Sequence, residues 1–221
     1  MKIEEFAKRI PSELLSSSGK VFYSGRIAFR TQFSLYVIGV NPGGDPPNHQ
    51  KETVGNHTAK VLRSYPDDWS AYRDESWEGK LPGTYGMAPR VLHLFNRLGL
   101  NPGEVPSSNL VFVRSRREEK INRKEMLSLA DLCWPFHELV IQKLKPRVIL
   151  CLGGTAGTYV RGKFRANKLF GEFIENNNRK WRSKAFENIS GMRVVAATHP
   201  SIADWTTIET DPSQLVRKTM S

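Results

Sequence analysis

Cysteine is scarce in this chain, with two in 221 residues. Cys133 and Cys151 both stand in apolar surroundings (Leu132-Cys133-Trp134 and Ile149-Leu150-Cys151-Leu152), which predicts buried free thiols. Two cysteines exclude a disulfide-stapled scaffold and fall short of the four thiolates that hold an iron–sulfur cluster. Long apolar runs are missing too. No stretch approaches the roughly 18 consecutive residues that a membrane-crossing helix needs. Met1–Lys8 carries acids and lacks the apolar centre of a signal peptide. A hydrophobic fraction of 39% and a mean hydropathy of −0.45 fit a soluble globular protein. The expected compartment is a reducing one, the cytoplasm or its nucleoid. No repeat, linker or low-complexity segment divides the chain, so residues 1–221 read as one domain.

Acid is the third shortage. Against 33 Lys and Arg there are 22 Asp and Glu, leaving a net charge of +11 and a pI near 9.8. Such a balance is the electrostatic footprint of a phosphate-backbone binder, although charge kept for solubility alone gives the same total. The basic residues cluster at Arg114-Ser115-Arg116-Arg117 and at Arg179-Lys180-Trp181-Arg182-Ser183-Lys184.

What is present is an alternation of strand and helix signals. Ile3, Phe6, Ile10 and Leu14 have helical spacing, broken by Pro11. Val21–Phe29 reads as strand-like, and Leu35–Val40 as a buried strand. Residues 45–82 dissolve into Gly, Pro, Asn, Asp and Trp and read as an irregular insertion. A helix over Pro89–Leu98 is stopped by Gly99 and Pro102. Ser108–Val113 is the next strand. Asn122 with Glu125 forms a capping box that opens a helix running to about Lys143. Strand Arg147–Leu152, a turn at Gly153-Gly154, a helix to about Arg161 and strand Arg193–Ala197 follow. Asp211-Pro212 signals a final helix. Alternating strands and helices imply βαβ units and a mostly parallel sheet.

Two turns closing buried strands carry most of the functional information. Leu35–Val40 runs into Gly39-Val40-Asn41-Pro42-Gly43, and Arg193–Ala197 runs into Thr198-His199-Pro200-Ser201. Ligands of open α/β sheets bind at the carboxyl ends of strands, where a Gly/Pro-rich turn lets backbone approach them. An amide on one turn and an imidazole on the other make a two-sided site. Taken alone, Asn41 is also a common turn opener, and a lone histidine is more often structural.

These two segments resemble the two motifs of the uracil-DNA glycosylase superfamily. The first is similar to that of the mismatch-specific uracil/thymine glycosylases. Gly86–Leu98 with Asn101-Pro102-Gly103-Glu104-Val105, Ser108–Phe112, and Lys145–Ala156 resemble successive blocks of the bacterial iron–sulfur branch. The resemblance implies a three-layer α/β sandwich around a central, mostly parallel four-stranded sheet. It implies a monofunctional DNA glycosylase that hydrolyses the N-glycosidic bond of a deaminated base, most plainly uracil. In that scheme Asn41 orients the hydrolytic water, with Gly39 and Val40 bringing backbone to the substrate. His199 donates to the base carbonyl as charge develops on it, and Ser201 holds a DNA phosphate. Asn109 reads the Watson–Crick edge of the flipped base, and Tyr85 stacks on it. Neither motif holds a lysine for Schiff-base chemistry.

The chain departs from the family in lacking the cluster cysteines, in residues 45–82, and after His-Pro-Ser. There Ile202-Ala203-Asp204-Trp205 leaves Ile202 or Trp205 as the apolar wedge that props a duplex open. Arg114, Arg116 and Arg117 are expected at the pocket rim, and the Arg179–Lys184 cluster farther from either motif. Gly153-Gly154-Thr155 reads as a tight strand–helix turn or a phosphate cradle. Asp45, His49 and His57 lack the spacing of a metal site. No cofactor is implied, and the expected state is a monomer acting on single- or double-stranded DNA. A catalytically silent nucleic-acid-binding member of the same fold, or an enzyme of free nucleotides, are the competing readings.

Overall fold

The computed structural model describes residues 2–115 and 122–221. Its frame is a six-stranded, mostly parallel sheet flanked by helices. The strands are β1 (Leu35–Gly39), β2 (Ser107–Asn109), β3 (Val148–Leu152), β4 (Lys168–Ile174), β5 (Arg182–Glu187) and β6 (Arg193–Ala197), in spatial order β2-β1-β3-β6-β5-β4. Four of them, β2, β1, β3 and β6, run parallel. The sheet thus has six strands where four were expected, with an antiparallel hairpin, β4–β5, beyond β6.

Every residue of β1 and β3 is buried. Their unbroken apolar runs suit strands covered on both faces. Chain direction explains the cover. The β1-to-β2 crossover carries α4 (Ala88–Leu98), whereas the crossovers from β2 to β3 and from β3 to β6 carry α5 (Arg123–Leu144) and α6 (Gly154–Phe164). The first moves across the sheet in the opposite direction to the other two, so right-handed connections put α4 on one face and α5 with α6 on the other. The C-terminal helix α7 (Ser213–Met220) packs with α4.

Several helix signals hold. Gly99 caps α4 in the left-handed region at φ 71°, where a Cβ would be strained. Asn122 accepts from the Glu125 amide at 2.9 Å and opens α5. The Asp211 carboxylate accepts from the Ser213 amide at 2.8 Å at the start of α7. At the N-terminus, Pro11 divides a short helix, α1 (Ile3–Ala7), from a single 3-10 turn over Ser12–Leu14.

Other expectations need correction. Residues 45–82 are not irregular, because Val54–Arg63 forms α2 and Ala71–Asp74 the single turn α3. The buried stripe of α2 is Val54, His57, Thr58 and Val61. It has helical spacing, but a histidine and a threonine in it and Gly55-Asn56 between them hide the period. Val21–Phe29 is not a strand of the sheet. Phe22 makes one isolated bridge to Ser108, Ser24 bridges instead to Ser70, and Ile27–Phe29 is a 3-10 turn. The strand expected over Ser108–Val113 closes at Asn109. Beyond it the backbone stays extended only far enough to give Leu110 N to Gly39 O (2.8 Å) and Val111 N to Val40 O (2.9 Å).

Candidate active site

The strand order reverses between β1 and β3: the chain moves from β1 outward to β2, then returns past β1 to β3 and β6. Such a switch point opens a crevice at the carboxyl ends of the strands. Asn41 follows β1, Asn109 ends β2, Gly153 follows β3 and His199 follows β6. Four separate stretches of sequence thus deliver two carboxamides, an imidazole and a glycine turn to one edge of the sheet.

Gly39 pairs with Asn109 across β1 and β2. A Cβ on Gly39 would lie 2.1 Å from Asn109 Oδ1, so only glycine lets that carboxamide lie across the strand. Asn109 is 5% exposed, and its Nδ2, near the Tyr23 side chain, makes no hydrogen bond of normal geometry. A buried donor without one costs about 1–3 kcal/mol, a cost a ligand carbonyl would offset.

His199 lies over Gly153, whose backbone stands at φ +104°. A Cβ there would meet His199 Cδ2 at 3.2 Å. The imidazole is oriented by its own turn, with the Ser201 amide donating to Nδ1 at 3.1 Å and the Ser201 hydroxyl 2.7 Å from the same nitrogen. A backbone N–H can only donate, so Nδ1 is the acceptor and the neutral ring carries its proton on Nε2. Ser201, expected on a phosphate, is here the residue that sets the tautomer.

Asn41 donates from Nδ2 to Pro42 O at 3.0 Å and to Ser115 Oγ at 2.8 Å. With the nitrogen held, Oδ1 is left as the group that faces other partners. Ser115 carries no motif signal and was not anticipated.

Arg114 requires a correction. It is turned inward rather than standing at the rim, with its side chain 5% exposed. The guanidinium pairs with Glu52 and donates to Gly43 O, clamping the Asn41 turn. Glu52 also meets Lys20 at 3.3 Å, and Lys20 meets Glu75, whose other oxygen accepts from Trp77 Nε1 at 3.0 Å. The cation is consumed within the fold and is not available to a phosphate. Arg116 and Arg117 lie outside the described residues.

Trp205 is fully buried in the core and cannot serve as a duplex wedge. Its apolar bulk is the reason, since burying an indole stabilises the fold more than exposing it would. Ile202, on the same turn, is 56% exposed. Tyr85 is exposed just before α4, beside Gly86, which faces Trp77. Its side chain makes no hydrogen bond or ring contact with the described residues, so Tyr85 is not joined to Asn41, Asn109 or His199.

Two arginines brace the His199 turn. Arg90 of α4 donates to Pro200 O and pairs with Asp204 at 3.4 Å. Arg179 donates to Ile202 O at 2.6 Å. The Arg179–Lys184 cluster, expected away from the motifs, therefore reaches one of them. Isolated arginines aimed at carbonyls leave no pattern in a sequence. Asp204 is held below the usual carboxylate range by the Thr206 hydroxyl first, then by the Thr206 amide and Arg90.

A groove of about 620 Å³ runs from this edge between α5 and α6, touching Leu110, Gly154 and Thr155. Among the described residues, no set of three or more His, Cys, Asp or Glu could hold a metal ion, and no helix is long and apolar enough to cross a membrane. Compared with known proteins, the chain matches no protein-family model and no curated protein.

Proposed function

We propose that the protein is a monofunctional DNA glycosylase of the uracil-DNA glycosylase type, releasing a deaminated base, with uracil as the preferred one. The observation that carries this reading is the arrival of Asn41, Asn109 and His199 at one edge of the sheet, with Asn41 and His199 each held by hydrogen bonds that fix which polar atom it presents and Asn109 lying across Gly39. The buried Asn109 Nδ2 matches a carbonyl such as uracil O4 and mismatches the amino group of cytosine. His199, with its proton on Nε2, donates to the base oxygen on which negative charge grows as the glycosidic bond breaks. The sugar left behind is oxocarbenium-like, and capture by water then needs orientation more than a strong base. Asn41 Oδ1 supplies that orientation.

Single-turnover excision on oligonucleotides carrying uracil, hypoxanthine, xanthine or a T:G mismatch tests the proposal. Release of uracil is the expected result, and silence across all four substrates overturns it. Asn41→Ala and His199→Ala should each slow the chemical step by roughly two to four orders of magnitude with little change in DNA affinity. Equal losses of rate and binding would place these residues in ligand holding instead.

A further inference from the structure

The β4–β5 hairpin is the part of the fold that neither motif explains. Its tip, residues 175–181, is fastened to the loop after His199 at two points: Asn176 N donates to Glu209 O at 2.8 Å, and Arg179 donates to Ile202 O at 2.6 Å. Arg179 also pairs with the buried Glu175 at 3.0 Å and lies 4.1 Å over the Trp181 ring. The tip and the His199 turn therefore form one surface. That surface exposes Trp181 (38%), Ile202 (56%) and Ile208 (86%).

Subtracting internal partners leaves a defined residue of charge. Arg179 is used by Glu175, and Arg182 by Glu172 at 3.1 Å across the hairpin. Lys180 and Lys184 form no ion pair with the described residues. Lys180 stands at φ +51° in the turn, a left-handed conformation that glycine would adopt without the penalty a side chain brings. A lysine there puts a cation in the turn of the hairpin.

We propose that this hairpin tip is a nucleic-acid contact: Trp181 stacks on a base, and Lys180 with Lys184 meets phosphates of the DNA strand that passes the His199 turn. An aromatic platform beside uncompensated cations is the pairing that holds single-stranded nucleic acid without reading its sequence. The inference rests on the DNA reading of the site and adds to it the element that holds the strand next to the extruded base.

The test is tryptophan emission and anisotropy of the full chain, titrated with a labelled single-stranded oligonucleotide carrying one uracil. Of the five tryptophans, Trp69, Trp134 and Trp205 are buried and Trp77 packs against the core, so Trp181 reports on the surface. Binding should quench emission. Trp181→Leu should abolish the quench and weaken binding about tenfold. Lys180→Gln combined with Lys184→Gln should flatten the log-affinity against log-salt slope by about 0.7 per contact removed. Should Trp181→Leu fail to fold, the lysine pair decides alone. Variants that bind like the parent overturn the hairpin contact while leaving the glycosylase reading intact. A parent chain with no DNA affinity at any salt overturns both.

Discussion

The two turns that face each other across the crevice are held by different physics. The Asn41 turn is gripped from inside: Arg114, Glu52, Lys20 and Glu75 form a chain of largely buried charges, and Arg114 reaches Gly43 O from it. The His199 turn is gripped from outside, by Arg90 and Arg179 donating to its carbonyls at the protein surface. Buried ion pairs are costly to form and costlier to break singly, because the remaining partner is stranded in a poor solvent. Surface arginine contacts contribute little each and weaken with salt. One side of the site is thus built as part of the core, and the other as an adjustable arm.

Breaking the inner grip should produce the largest effect on stability. Arg114→Ala takes from the Gly43 carbonyl its guanidinium donor and from Glu52 one of its two cations, Lys20 being the other, and a loss of up to about 3–5 kcal/mol is expected. Chemical denaturation reads it as a drop in midpoint at constant slope. A loss below about 1 kcal/mol would mean that the network is as dispensable as a surface pair, and the contrast between the two turns would fall.

Acid should act on the same side. His137 is fully buried beneath β1, where the Tyr36 hydroxyl lies 2.8 Å from its Nδ1. Burial, opposed by backbone contacts at Leu110 and Asn109, lowers its pKa from 6.5 to about 4. His57, buried beside Lys20 and Arg114, is pushed well below its ordinary value too, by burial first. A histidine kept neutral in the fold takes up its proton first in the unfolded chain. Stability is therefore full above about pH 6.5 and falls as the pH drops toward 4, by roughly 3 kcal/mol for His137 alone. Melting curves from pH 7 to 4.5 should show this decline, and His137→Gln should make it shallower. An unchanged slope in that variant would remove His137 as the cause.

The two sides also differ in how legible they were. The buried strands, the capping boxes and the Gly-rich turns are local signals, and the sequence carries them within a few residues. The inner network is not local. Lys20, Glu52, Glu75 and Arg114 are spread over almost half the chain, and nothing in their immediate neighbours marks them as partners. Arg114 was misplaced for that reason: adjacency to Asn109 and to Arg116-Arg117 suggested a rim. Trp205 was misplaced because a tryptophan near a motif looks the same whether it faces solvent or core. The β4–β5 hairpin escaped because its strands carry charged and half-exposed residues instead of an apolar run. Gly39 and Gly153 were visible as glycines, but the carboxamide and imidazole pressed against them were not.

Those two glycines compare the turns at a smaller scale. Gly39→Ala places a Cβ on Asn109 Oδ1, displacing that carboxamide while leaving His199 alone. Gly153→Ala demands a left-handed backbone of an L-residue and moves His199 by a few tenths of an ångström. Each should cost about 1–3 kcal/mol of stability. Their kinetic signatures should differ: the first relaxes discrimination between uracil and cytosine, and the second slows excision of uracil without changing the preference. Identical signatures would show that Asn109 and His199 do not act on separate parts of the substrate.

The smallest change in stability belongs to the outer grip. Arg90→Ala removes a donor from a carbonyl that water can serve instead, and Arg179→Lys loosens the grip on Ile202 O while leaving a cation for the buried Glu175, so each should cost under about 1 kcal/mol. The turn they release carries His199 and Ile202, and a shift of a fraction of an ångström at a reacting group is felt in rate before it is felt in stability. A three- to tenfold slower single-turnover step, with melting temperature nearly unchanged, is therefore expected for either variant on the order set by such misplacement. Added salt should move the parent toward the variants, because it weakens the Arg90–Asp204 pair at 3.4 Å. The pair of measurements separates positioning from packing: a variant that loses stability and rate together would make the arginines part of the core, and one that loses neither would leave the His199 turn held by its own Ser201 contacts.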